Sequence, residues 1–163
     1  MALKRSLGYG TEFQDAEIQI CMERMIEMKK EDCIFCKLAN GEIPTRSIYE
    51  DEEFRVILDA APATRGHALI LPKDHADNLY QLPEETAGKA FILAKKLTVS
   101  MTEKLGCQGF NILQNNGEVA GQTVLHFHLH LIPRYTDDGQ SISLKPQQYS
   151  DEVLDEIRNQ LAE

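Results

Sequence analysis

An antiparallel α+β fold is predicted by three features of the chain: short segments with apolar residues at a period of two, turn-forming residues between them, and one long amphipathic segment inserted among them. A helix through Cys36, Lys37 and Leu38 is expected to stop at Asn40-Gly41, a pair suited to a helix end. After Ile43-Pro44 come two strand candidates, Ser47 to Glu50 and Phe54 to Asp59, joined by an Asp51-Glu52 turn. Residues 60–66 are loop by composition, and His67 to Leu71 is a short apolar strand closed by Pro72.

The longest helix follows, with Pro83 in its first turn, Glu84 and Glu85 at its positive end, and Gly106 as its stop. Ala90, Ala94, Leu97, Met101 and Leu105 form its expected buried stripe. Residues 109–115 read as a further strand and Asn116 to Gln122 as a glycine-containing loop. After Pro133 a polar connection leads to a helix beginning near Ser150, with Val153, Leu154, Ile157 and Leu161 on one side. No internal repeat or low-complexity tract interrupts the chain.

The last strand carries the chemistry. In His126-Phe127-His128-Leu129-His130-Leu131-Ile132, three imidazoles stand at every second position. An extended backbone turns alternate side chains to opposite faces, so the histidines share one face while Phe127, Leu129 and Leu131 share the other. Residues two apart on a strand lie about 6 to 7 Å apart, close enough for the rings to converge on one phosphate or metal. Imidazoles titrating near neutral pH suit nucleophilic attack, proton transfer or metal ligation.

Length and charge bound the rest. A chain of 163 residues suits one domain with a sizeable core. Residues 1–30 differ in character and are expected to be an extension with a partial helix; Met28 offers an alternative start, which would make residues 1–27 an upstream or foreign segment. No apolar run reaches the roughly 20 residues that span a bilayer, and no secretory leader is evident, so a cytoplasmic protein is expected. The formal charge of −9 opposes binding to nucleic acid or anionic membranes, while leaving room for a small phosphate-bearing ligand.

The cysteines divide by spacing. Cys33-Ile34-Phe35-Cys36 is a Cys-x-x-Cys pair, open to reading as a redox dithiol or as half of a zinc site, whereas Cys21 and Cys107 stand alone. The histidines outside the triad strand are His67 and His75.

Together, the His-x-His-x-His strand, the preceding Asn115 and Gly121-Gln122-Thr123 loop, and the upstream Gly66-His67 strand resemble the histidine-triad (HIT) nucleotide-binding family over about residues 31–135. The Cys-x-x-Cys pair and the Ile132-Pro133-Arg134 ending are similar to its zinc-containing bacterial branch. The resemblance implies a HIT-like domain over residues 31–163: a five-stranded antiparallel sheet with a long helix and shorter flanking helices. It also implies a homodimer in which two such sheets join into ten strands.

The same resemblance implies roles for individual residues. His128 is the expected nucleophile at the α-phosphate of a purine nucleoside 5′-phosphoramidate, and His130, Asn115, Gly121, Gln122 and Thr123 are expected at the phosphate. His67 would support the triad and Asp59 would hold the ribose hydroxyls, a task suited to a carboxylate with two accepting oxygens. Ile34, Phe35, Leu38, Ile43 and Ile57 are candidates for the base pocket. Cys33, Cys36, His75 and His126 form the expected zinc site, a closed set of nitrogen and sulfur ligands that serves structure rather than catalysis. Two other functions stay open: a dinucleoside polyphosphate hydrolase, and a zinc-organised nucleotide sensor or scaffold with incidental catalysis.

Overall fold

A computed structural model of the chain describes residues 29–162. The expected helix within residues 1–30, the alternative start at Met28 and Cys21 fall in or against the part outside that range. Five strands form one antiparallel sheet: β1 (Ser47–Glu50), β2 (Phe54–Leu58), β3 (Ala68–Pro72), β4 (Gly109–Leu113) and β5 (Leu129–Arg134), in the order β1-β2-β3-β5-β4. Three α-helices accompany them: α1 (Ile34–Ala39), α2 (Glu84–Leu105) and α3 (Asp151–Leu161). Among the described residues no helix is long and apolar enough to cross a membrane.

Period-two alternation divides the sheet between two layers. Phe54 and Val56 of β2, Ala68 and Ile70 of β3, and Leu129 and Leu131 of β5 pack with Phe127 against α2, which contributes Ala90, Leu93, Ala94 and Met101. The opposite face presents Ile57, Leu69 and Leu71 to α1, where Ala39 is buried with Phe35 and Leu38 beside it. Burying about six large side chains on the α2 face alone is worth roughly 1.5–3 kcal/mol apiece, which outweighs the propensity of any single segment. α2 ends at Gly106, whose φ of 66° is the left-handed conformation of a helix stop. Gly66, at φ 88°, is more constrained still: a Cβ there would lie 2.5 Å from Leu105 Cδ1, so its turn packs directly on the end of α2.

Element boundaries differ from expectation in informative places. β5 begins at Leu129, not at His126, and runs on to Arg134. Leu129 pairs with Ile70, and two residues further back the register would place Phe127 opposite Pro72. Proline has no N–H to donate, so the ladder cannot continue. Phe127 donates to the Ala76 carbonyl instead, at 2.6 Å. Likewise β2 stops at Leu58 and β4 at Leu113, which leaves Asp59 and Asn115 in the loops beyond their strand ends. Pro83 caps α2 rather than occupying its first turn. The apolar stripe of α3 exists, but Val153, Leu154, Ile157 and Leu161 are all exposed.

Candidate active site and metal-ligand cluster

A cavity of about 650 Å³ opens on the α1 side of the sheet. Phe35, Leu38, Ile57 and Leu69 give it apolar walls, while Asp59, His67, Asn115, Gly121, Thr123, His128 and His130 converge on it. The strand ends explain the convergence: Asp59 follows β2, His67 precedes β3, Asn115 follows β4, and His128 precedes β5.

Each histidine ring here has at least one nitrogen engaged, and those hydrogen bonds set where its proton sits. The Nδ1 of His128 lies 2.7 Å from the His126 carbonyl, which can only accept, so Nδ1 carries the proton and Nε2 keeps its lone pair. For His67, the Ala63 N–H donates to Nδ1 at 3.1 Å, which puts the proton on Nε2. That Nε2 donates to His130 Nδ1 at 2.9 Å, and His130 in turn bears its proton on Nε2. The result is a lone pair on His128 and an N–H on His130, with ring centroids 4.9 Å apart. Asp59 sits beside this chain, one carboxylate oxygen 3.6 Å from His67 Nε2 and the other accepting from the Ala61 N–H at 2.8 Å.

Burial keeps these rings neutral. It pushes His130 down to about 4, with the neighbouring His128 and His67 acting in the same direction, and it lowers His67 and His128 as well. A neutral imidazole at pH 7 is the nucleophilic form. Phe35 packs edge-on against His128 at 5.0 Å between centroids and limits its rotation.

Behind this site lies a second constellation. Cys33, Cys36, His75 and His126 bring one ligand atom each within 4.8 Å of all the others. His126 donates from Nε2 to the Pro72 carbonyl at 3.0 Å, and His75 bonds Asp77 through Nε2 at 2.8 Å. Both therefore turn Nδ1 to the thiols: His126 Nδ1 is 3.6 Å from Cys33 Sγ and 3.5 Å from Cys36 Sγ, and His75 Nδ1 is 3.3 Å from Cys36 Sγ. Burial raises the Cys36 thiol to about 11 and drops His126 to about 4. The donor set fits a closed tetrahedral site for a borderline-soft metal, with Pro72 and Asp77 orienting the imidazoles from outside.

Three expected site residues take different positions: of the base-pocket candidates, Ile34 is exposed and neither it nor Ile43 lines the cavity, and Gln122 is the third. Gln122 does not line the cavity: its buried amide donates to the Asp77 and Val124 carbonyls and accepts from the Gly117 N–H. It holds its own loop through Gly117 and Val124 and ties that loop to the segment after β3 through Asp77, because these half-buried backbone groups need partners. Gly121 (φ 88°) and Asn115 lie against each other, with Asn115 Nδ2 3.4 Å from the Gly121 carbonyl. Sequence reasoning missed Asp77, although His75-Ala76-Asp77 carries the spacing that lets a carboxylate fix a histidine ring. It also missed the backbone partners Ala63, Pro72 and His126, for which side-chain identity offers no signal.

Comparison with known proteins supplies the family. The HIT domain pattern matches residues 40–137. An uncharacterized HIT-like protein of Methanocaldococcus jannaschii is 45% identical over 128 residues, 77% of this chain and 98% of its own. An adenosine 5′-monophosphoramidase of Saccharomyces cerevisiae is 41% identical over 119 residues, 73% of each chain. The crystal structure of a Zn-bound histidine triad family protein from Mycobacterium smegmatis superposes with a TM-score of 0.65 at 40% identity, covering 71% of this chain and 84% of its own. With this sheet order, this histidine strand and these matches, the chain belongs to the HIT domain family.

Proposed function

We propose that the chain is a nucleotide-binding hydrolase or transferase that cleaves purine nucleoside 5′-phosphoramidates at the α-phosphorus through a nucleotidyl intermediate on His128. The observation that carries this reading is the His128–His126 hydrogen bond, which leaves the Nε2 lone pair free on a neutral ring beside the cavity. In the first step Nε2 attacks phosphorus, a P–N bond to His128 forms, and the P–N bond to the leaving amine breaks. Thr123, which lines the cavity, is assigned the proton passed to that amine. Water then attacks the same phosphorus, a P–O bond forms as the P–N bond to His128 breaks, and the proton that water gives up restores the Thr123 hydroxyl, so the nucleoside monophosphate leaves and His128 is neutral again.

In this reading His130 Nε2–H and the Asn115 amide face the non-bridging oxygens, where fixed donors stabilise developing charge, while Gly121, whose N–H is given to the Glu118 carbonyl, lets the loop come close to the phosphate. His67 holds the His130 tautomer and Asp59 accepts from the ribose hydroxyls. Gln122 contributes through the loop it organises. Support comes from the converging cavity and from the monophosphoramidase relative.

Cys33, Cys36, His75 and His126 are assigned to a structural zinc ion on the chemistry of their donor atoms. Bound there, zinc would supply a cross-link between three parts of the fold and no catalytic function. Reduced thiols call for a reducing compartment, so the reading places the protein in the cytoplasm. Two chains are further proposed to pair along the free edge of β4, where Ile112 is exposed, as Phe91, Ile92 and Val99 are on α2. A molar mass of two chains by light scattering is the expected result.

The catalytic test compares wild type with His128→Asn on adenosine 5′-phosphoramidate and on diadenosine polyphosphates. Wild type should release adenylate from the phosphoramidate, leave a covalent adenylyl adduct on His128 when quenched early, and lose both in the variant. Faster turnover of the polyphosphate would make this a dinucleoside polyphosphate hydrolase. Binding without turnover of either substrate would leave a nucleotide sensor or scaffold.

A further inference from the structure

The cavity runs across the strands, from the histidines towards the edge of the sheet. His130 of β5 pairs with Leu69 of β3, and Leu69 pairs with Ile57 of β2, so one row of side chains floors the groove. Three strand spacings of about 4.8 Å put the segment entering β1 about 14 Å from β5. That segment, Pro44-Thr45-Arg46, is the far wall. Between the two ends Phe35 and Leu38 stand over Ile57 and Leu69, forming an apolar slot suited to a flat ring.

Arg46 is the only lysine or arginine lining this cavity among the described residues. Arg55, Arg134 and Arg158 are each paired with a carboxylate, on Glu50, Asp138 and Asp155, whereas Arg46 has no such partner among the described residues. It lies at the opposite end from the phosphate-facing histidines, so its fork of donors is available to whatever fills the slot's outer end.

Building on the reading that the occupant is a nucleotide with its α-phosphate at His128, we propose that Arg46 is a specificity-determining residue that selects a 6-oxopurine, guanine over adenine. Guanine offers two acceptors, O6 and N7, along one edge, and a guanidinium can donate to both at once. Adenine keeps N7 but replaces O6 with an amino group, which sets donor against donor. A pyrimidine has no N7 and is too short to bridge from the phosphate end to Arg46.

The test is calorimetric titration of wild type, Arg46→Met and Arg46→Lys with GMP and with AMP. Wild type is expected to bind GMP at least about tenfold more tightly than AMP, the discrimination typical of one bidentate contact. Arg46→Met should lose that factor for GMP while AMP affinity stays within about twofold, since only one base presents the paired acceptors. Arg46→Lys, which keeps the charge without the fork, should also lose the preference. Equal affinities in wild type would overturn the proposal, as would a parallel loss for both nucleotides in Arg46→Met or full selectivity in Arg46→Lys. Base selection is read from binding alone: a GMP preference with no turnover of either phosphoramidate supports it while overturning the catalytic reading.

Discussion

Five copies of one residue type do different jobs here, and the difference lies in which ring nitrogen is occupied and in whether the partner there accepts or donates. His128 is held at Nδ1 by a backbone carbonyl and becomes a lone-pair donor towards the cavity; His130 is held at Nδ1 by His67 and becomes a proton donor. His126 and His75 are held at Nε2 and turn Nδ1 to the thiols. Keeping His130 buried and neutral has a consequence for stability. Its value in the fold is about 4, against 6.5 for the exposed ring. At pH 7 and above, both folded and unfolded chains carry it neutral, and it adds no proton-linked term. As pH falls below 6.5 the unfolded chain takes up a proton that the folded one refuses until about pH 4, so stability declines across that window. Thermal unfolding at pH 7.5 and pH 5 should show a lower Tm at pH 5, and the drop should be smaller in His130→Asn. An equal drop in both proteins would show that His130 is not one of the groups responsible.

At the scale of elements, what was legible in the sequence is what burial enforces. β1, β2, β3 and α2 stand close to where alternation and capping put them, because slipping a half-buried strand by one residue would turn Ile57 and Leu69 out of the α1 face. Ends were less legible, since a strand stops where its neighbour stops offering partners. The early His126 and His128 keep the alternation of the strand without its ladder, and the cause is Pro72, 54 residues away from His126. That break has a use. Freed from the ladder, the His126 carbonyl turns to the His128 ring, and the His126 ring reaches the thiols. The site was legible residue by residue wherever side chains carry it. It was opaque where backbone atoms do the work, as at Ala63, and where a polar residue beside the cavity spends its amide on backbone groups, as Gln122 does.

For the molecule as a whole, the Cys/His cluster is the joint between the two layers on the cavity side. Its ligands come from α1, from the loop after β3 and from the approach to β5, three parts distant in sequence. α1 has only six residues, too few for a helix to persist in water by itself. Its hold on the sheet is a small apolar contact, Ala39 with Phe35 and Leu38 against Ile57, Leu69 and Leu71. Zinc bound by the folded chain and not by the unfolded one would add about 2.7 kcal/mol at a free concentration a hundredfold above its dissociation constant. Removing it with a chelator should therefore lower Tm, and Cys33→Ser should bind less zinc and start from the lower value. Because α1 also brings Phe35 against His128, the loss should reach the cavity: amide exchange should quicken first in α1, before β3 or α2, and nucleotide binding should weaken with it. Purified protein is expected to carry one zinc per chain by metal analysis. A preparation with no zinc, an unchanged Tm after chelation and full protection in α1 would show that the thiols and imidazoles meet without a metal, and that the apolar contact alone holds α1 in place.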